Sequence, residues 1–341
     1  LAFLARNDAV FFVAALLIAH AFAGGASGGG LRHRMVDAVA AGIASLVVAS
    51  PWLVHNWLLF GSIVPISGIA QSHASGIGRN LALLPANLFE QAFVFAPIPR
   101  RFEQMPVVMA AAGLLVLAAC AGFWFFAGRR SLAARRFFIA GLLFPLGVAG
   151  YYGLFFGAPH FIPRYLSPTA LFLWPFAGAA ALMLLGLLLR TPGRIQTAMA
   201  AVGGVLALMF AAVAALGFAD GTRHEHKQVV DWVQRNVPAS TWVGAVQTGT
   251  LGFFHDRTIN LDGKVNPAAL RAILDHGHVL DYVVDSRIDV IADWAGMAGW
   301  ARMSDASPRF TERFELLVHD PRANLAVLRR VGSLPELQSA K

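Results

Sequence analysis

Three groups of residues carry side chains suited to gripping an oxygen-rich anion. The segment His160-Phe-Ile-Pro-Arg164-Tyr165-Leu-Ser-Pro168 sets an imidazole four residues before a guanidinium, with a phenol directly after it. A planar guanidinium holds phosphate oxygens through a fork of two hydrogen bonds, and an imidazole adds a further donor. Arg6 with Asp8 forms the second group, and His55-Asn56-Trp57 the third. Arg100 and Arg101 offer another cationic pair for anionic headgroups. Each group also has a plainer reading. Arg164 can run along apolar surface while Tyr165 joins an aromatic belt. Arg6 and Asp8 can form a local ion pair, and His55, Asn56 and Trp57 can bond between helices. Arg100 and Arg101 can touch headgroups nonspecifically.

Metal chemistry has less to stand on. His224-Glu-His226 places two imidazoles two residues apart, on different faces of a helix start, where they chelate poorly. His276-Gly-His278 is equally weak. A divalent metal stays open, with no site identified. The chain contains no GxSxG, GxxxxGK[ST], HExxH or CxxC pattern. Gly249-Thr-Leu-Gly252 lacks the third glycine of a dinucleotide fingerprint and reads as a tight turn. The single cysteine, Cys120, lies in an apolar run and reads as a small buried hydrophobe.

The elements that must position these groups belong to a membrane protein. Hydrophobic residues make up 57% of the 341, and charged ones 13%, which excludes a uniform soluble globule and a disordered chain. Residues 1–219 hold 13 arginines, no lysine and four acidic residues, whereas residues 220–341 hold 14 basic and 15 acidic ones. The basic excess sits between apolar runs instead of on one soluble face, so nucleic-acid binding is not expected. Six segments have the length and apolarity of spanning helices: 9–25, 38–60, 106–127, 137–157, 169–189 and 198–218. Three short loops are arginine-rich: 26–37, 128–136 and 190–197. Placing these in the cytoplasm puts loops 61–105 and 158–168, and the tail, on the outer side. Loop 61–105 reads as short interfacial helices on the outer leaflet. The chain opens at Leu1 inside an apolar stretch and reads as the C-terminal part of a longer protein.

The expected architecture is therefore an α-helical bundle over residues 1–219 followed by a small α/β domain over 220–341. In the latter, His224–Val237 and Pro267–Asp275 have helical spacing, as does Val279–Ser286. Trp242–Val246 and Ile288–Ala292 read as strands. Gly249–Phe254 reads as a turn into the extended piece Thr258–Leu261, and Phe310–Val318 with Asn324–Val331 as a terminal hairpin.

At this point the chain resembles a known class. An Arg-x-Asp pair opens an apolar helix at Leu4-Ala-Arg6-Asn-Asp8. A helix ends Pro51-Trp-Leu-Val-His-Asn-Trp-Leu-Leu-Phe-Gly-Ser-Ile-Val-Pro65. An outer loop carries Arg164-Tyr-Leu-Ser-Pro168. Together they look like the bacterial membrane glycosyltransferases of the GT-C class, relatives of protein mannosyltransferases and aminoarabinose transferases. The tail is similar to the outer domain of some members through Trp232-Val-Gln-Arg-Asn-Val-Pro238, Val243-Gly-Ala-Val, Gly249-Thr-Leu-Gly-Phe and Ile259-Asn-Leu-Asp262-Gly263. The resemblance implies a sugar donor on a polyprenyl phosphate, and a glycan, lipid or protein acceptor at the outer face of the bacterial plasma membrane. It carries Arg164, and with it His160, Arg6 and Tyr165, over as phosphate-side residues. It puts the general-base carboxylate in a first outer loop upstream of Leu1, so Asp8 is not assigned that role. A lipid-carrier transporter should show two related halves, and the sequence has no such repeat. A noncatalytic membrane assembly protein is the other alternative.

Overall fold

The computed structural model describes residues 6–24, 30–63, 65–72, 76–93, 102, 105–189, 191–220 and 226–332. The chain divides into two compact units, Leu1–Val64 with Ala74–Val213, and Pro65–His73 with Ala214–Lys341.

The regular elements described up to residue 220 are all helices. In chain order the helices are α1 (Ala9–Phe22), α2 (Leu31–Phe60), α3 (Ile66–Ser72), α4 (Leu84–Ala92), α5 (Pro106–Phe123), α6 (Leu132–Phe155), α7 (Ile162–Leu166), α8 (Ala170–Leu189) and α9 (Pro192–Asp220). Among the described residues five stretches are long and apolar enough to cross a membrane: Leu31–Phe60, Pro106–Gly128, Leu132–Phe155, Pro159–Leu189 and Pro192–Gly217. The sixth expected segment differs. Helix α1 has 14 residues, about 21 Å at 1.5 Å per residue, against about 30 Å of hydrocarbon.

The core of this unit lies where α5, α6 and α8 meet α1. Phe123, Phe144, Phe172 and Phe176 are buried there. Small residues allow the close approach that membrane helices need. A Cβ on Gly122 would sit 2.9 Å from the Ala180 Cβ, and one on Gly141 would sit 2.5 Å from Phe176. Helix α4 packs on α5 and α8, with Ala86, Asn87 and Ala92 buried. The described parts of the long loop thus include short helices, and α4 packs against the bundle. Helix α3 groups with the second unit, against α12 of that unit.

Of residues 158–168, expected as a loop, all from Pro159 onward are helical. Pro159–Phe161 and Ser167–Thr169 are 3-10 turns flanking α7, and the whole run feeds into α8. Pro159, Pro163 and Pro168 each stand at a first helical turn, where the missing N–H costs nothing and the fixed φ helps.

At the other end of α1 the basic loops converge. Arg34 Nε donates to Ala21 O at 3.0 Å, Arg135 Nη1 to Gly24 O at 3.4 Å, and Arg136 Nε to Ala23 O at 3.4 Å. These cations answer orphan carbonyls and the negative end of the helix dipole.

The second unit is a three-layer α/β fold. Its elements continue as α10 (Lys227–Asn236), β1 (Val243–Ala245), α11 (Thr248–Phe254), β2 (Thr258–Asn260), α12 (Pro267–His276), α13 (Leu280–Asp285), β3 (Val290–Asp293), α14 (Pro308–Arg313), β4 (Phe314–Asp320) and β5 (Leu325–Arg330). The sheet order is β2-β1-β3-β5-β4, with β1 parallel to β2 and β3, and β5 antiparallel to β3 and β4. Alternate strand residues feed opposite cores. Val243, Ala245, Val290, Ala292 and Val327 join α10 and α11, whereas Ile291 and Leu328 join α12, α13 and α14.

Two local expectations are corrected here. The Gly249–Phe254 turn is helix α11, which buries Leu251. Phe310 lies in α14 and not in a hairpin strand, because Ser307 caps that helix and Pro308 opens it.

Candidate functional site

The α1 N-terminus and the α6 C-terminus meet at one end of the helical unit. Arg6 Nε donates to Asp8 Oδ1 at 3.0 Å, and Arg6 Nη2 donates to Asp8 Oδ2. Tyr152 of α6 donates its phenolic proton to Asp8 Oδ2 at 3.1 Å. The Tyr152 ring stacks on Tyr165 of α7 at 4.5 Å between centroids, and the Arg6 guanidinium lies 5.7 Å from the Tyr165 ring centre. Phe156 closes the cluster edge-on at 5.0 Å from Tyr165. Arg6 is exposed, whereas the Asp8 side chain keeps only 12% of its surface. The hydrogen bond to Asp8 holds the Arg6 guanidinium above its ordinary value, against the opposing effect of burial, so it stays charged.

The turn at Gly76–Asn80 clamps this end of α6. Gly78 N donates to Leu154 O at 2.9 Å, Asn80 N to Gly153 O at 3.3 Å, and Asn80 Nδ2 to Tyr152 O and Phe156 O. Gly78 has φ +81°, a conformation a side chain would strain. Between Gly78 and the buried Asn80, Arg79 is left exposed.

The sequence-proposed residues thus fall into three classes. Arg6, Asp8 and Tyr165 come together. Arg164 and His160 sit exposed on the adjoining helical run; among the described residues the Arg164 guanidinium meets no acceptor, and the His160 ring contacts Phe161 at 4.1 Å. His55 and Asn56 lie near the C-terminal end of α2, where His55 stacks on Trp52 at 6.0 Å and Asn56 is buried. Among the described residues no hydrogen bond, ion pair or ring contact joins His55 or Asn56 to the cluster. Arg100, Arg101 and His224 lie outside the described residues.

Sequence reasoning missed Tyr152, Arg79 and Asn80. The signal for Tyr152 was a pair of phenols, Tyr151-Tyr152, near the end of the apolar run of that helix. Arg79 and Asn80 sat in a loop whose docking on α6 has no local signature.

Chemically, the cluster is suited to holding an anion. A guanidinium has five N–H groups; Asp8 engages two on Arg6. The rest remain available to a phosphate, with Arg79, Arg164 and His160 on neighbouring segments. Among the described residues no group of three or more His, Cys, Asp or Glu gathers as a metal site. The His276 and His278 rings are 6.3 Å apart, and His226 is buried with its ring 6.0 Å from Trp294.

In the second unit, the crevice at the carboxyl ends of β1 and β3 is where a sheet of this winding usually takes a ligand. Here it is closed. Asp293, 1% exposed, accepts hydrogen bonds from the backbone N–H of Val246, Gln247 and Trp294.

A family model described as Domain of unknown function (DUF8728) matches residues 215–325, from the end of α9 to the start of β5. No curated protein and no solved structure matches the chain.

Proposed function

We propose that this chain is a membrane glycosyltransferase. It moves a sugar from a polyprenyl-phosphate donor to a glycan, lipid or protein acceptor at the outer face of the bacterial plasma membrane. The observation that carries the reading is the Arg6–Asp8–Tyr152–Tyr165 cluster, set at the end of the helical unit away from Arg34, Arg135 and Arg136. Arg6 and Arg164 bind the lipid phosphate, with His160 as a further donor. Tyr165 packs beside Arg6. Asp8 aims Arg6, and its oxygens are already taken by Arg6 and Tyr152, so it is a poor proton acceptor.

In the reaction, an acceptor hydroxyl attacks the anomeric carbon and a new C–O bond forms. The bond from that carbon to the phosphate oxygen breaks, and polyprenyl phosphate leaves with the electron pair. The hydroxyl proton passes to a carboxylate base. Guanidinium groups offset the charge that grows on the leaving phosphate.

The test uses the chain in lipid nanodiscs. Polyprenyl phosphate should bind at least about tenfold more tightly than the uncharged polyprenol. Arg6→Ala and Arg164→Ala should each remove most of that preference. Membranes of cells that make the full-length protein, supplied with its native acceptor, should release polyprenyl phosphate from a polyprenyl-phosphate sugar, and both variants should slow release. Equal binding of the alcohol overturns the phosphate grip. Tight phosphate binding with no sugar release overturns the transferase and leaves a carrier-binding protein.

A further inference from the structure

The α/β unit holds a cleft of about 790 Å3 beside β2, the strand at one margin of the sheet. The proposed transfer makes no use of it. Its walls carry hydrogen-bonding groups whose capacity is unfilled among the described residues. Asn266 Nδ2 donates to the Tyr282 oxygen at 2.9 Å, which leaves the phenolic proton without an acceptor. Asn260 Nδ2 donates to Thr248 Oγ1 at 3.2 Å, which leaves the threonine proton likewise. Asn260 is only 8% exposed, yet its Oδ1 receives no hydrogen bond. An orphan buried acceptor is costly and calls for a donor.

Arg287 completes the set. Its guanidinium carbon lies 3.6 Å from the centre of the Trp242 ring. Stacking of this kind occupies the flat face of the group and leaves its N–H edge free. No carboxylate lines the cleft, and none pairs with Arg287 among the described residues.

This inventory selects a ligand chemistry. Three donor groups, one of them cationic, ask for an oxygen-rich anion. The Asn260 acceptor asks for a hydroxyl proton on the same molecule, which an ion such as sulfate does not supply at neutral pH and a sugar supplies several times over. The volume lies in the ordinary range for small-molecule sites. We infer that the cleft binds a sugar bearing an anionic group, either carboxylate or phosphate. The charge sits at Arg287, and the sugar hydroxyls meet Tyr282, Thr248 and Asn260.

The experiment is a calorimetric titration of the full chain in detergent micelles with glucuronate, glucose 6-phosphate, glucose and inorganic phosphate. One anionic sugar should bind at least about tenfold more tightly than both glucose and inorganic phosphate. Whichever sugar wins identifies the anionic group. Arg287→Ala should shrink the preference over glucose to under about threefold, with Arg287→Lys intermediate because it keeps charge but loses the fork. Thr248→Val should weaken the sugar and leave inorganic phosphate unchanged. Thermal unfolding of each variant separates lost binding from lost folding.

Three results overturn the inference. The first is glucose binding as tightly as its charged counterparts. The second is inorganic phosphate binding as tightly as the better of the two anionic sugars, which means an adventitious ion only. The third is a preference that survives Arg287→Ala in a folded chain. None of these touches polyprenyl-phosphate binding by the helical unit, so the two readings fail separately.

Discussion

Replacing Tyr152 by Phe removes one oxygen and leaves the ring stacked on Tyr165. What disappears is a 3.1 Å hydrogen bond to Asp8 Oδ2. Hydrogen bonds to charged groups are worth about 1.5–3 kcal/mol in water-soluble proteins. Between membrane helices the average is about 0.6 and the maximum about 1.7 kcal/mol. Asp8 keeps 12% of its side-chain surface and retains both bonds from Arg6, so the loss is partly cushioned. A coupling of about 1 kcal/mol is therefore expected between the two positions. The assay is a double-mutant cycle of Tyr152→Phe and Asp8→Ala, read by reversible denaturation in mixed micelles. A coupling within about 0.3 kcal/mol of zero refutes the contact, since that is the noise of additivity. The same variants should weaken polyprenyl phosphate binding severalfold, less than Arg6→Ala does, because the guanidinium survives but loses its aim. Unchanged phosphate binding beside a real coupling refutes the positioning role and leaves a purely structural cluster.

Further outcomes follow from packing and charge. Arg330 donates to the carbonyls of Val283, Val284, Ser286 and Ile288 at 2.9–3.1 Å, closing the C-terminal end of α13. Arg330→Ala should cost about 3 kcal/mol in unfolding of the α/β unit, and Arg330→Lys should recover little because one ammonium cannot span those acceptors. Gly122→Val should destabilise the bundle by about 1–3 kcal/mol through collision with Ala180, whereas Gly178→Ala, with open space around it, should be neutral or better; thermal unfolding compares them. The hydrogen bond from Arg309 holds the Asp285 carboxyl below its ordinary value. A lowered native pKa means stability that is present above the unfolded value, near 3.9, and lost as pH falls through the native one. The unfolding difference between the parent chain and Asp285→Asn should thus be small at neutral pH and disappear in acid once Asp285 is protonated in the folded chain as well.

Much of the architecture was legible in the sequence because it is written locally. Apolar run length marks a spanning helix wherever the run occurs, and the runs at 106–127 and 137–157 reappear as α5 and α6. Proline at a first turn and asparagine at a cap mark α12 without knowledge of its neighbours. The Arg6–Asp8 pairing was legible for the same reason, at a separation of two residues. Other features carry no local trace. Thr248–Phe254 has the turn chemistry of two glycines, yet it folds as helix because Leu251 finds a buried place between α10 and β1. Tyr152 meets Asp8 across 144 residues of chain, and Asn80 caps Tyr152 across 72. The cleft draws Trp242, Thr248, Asn260 and Arg287 from separate elements around β2. Periodicity and capping act over one or two turns and are set by the chain itself. Which helix ends abut, and which hydroxyl is left without a partner, are settled only when distant segments compete for the same buried volume.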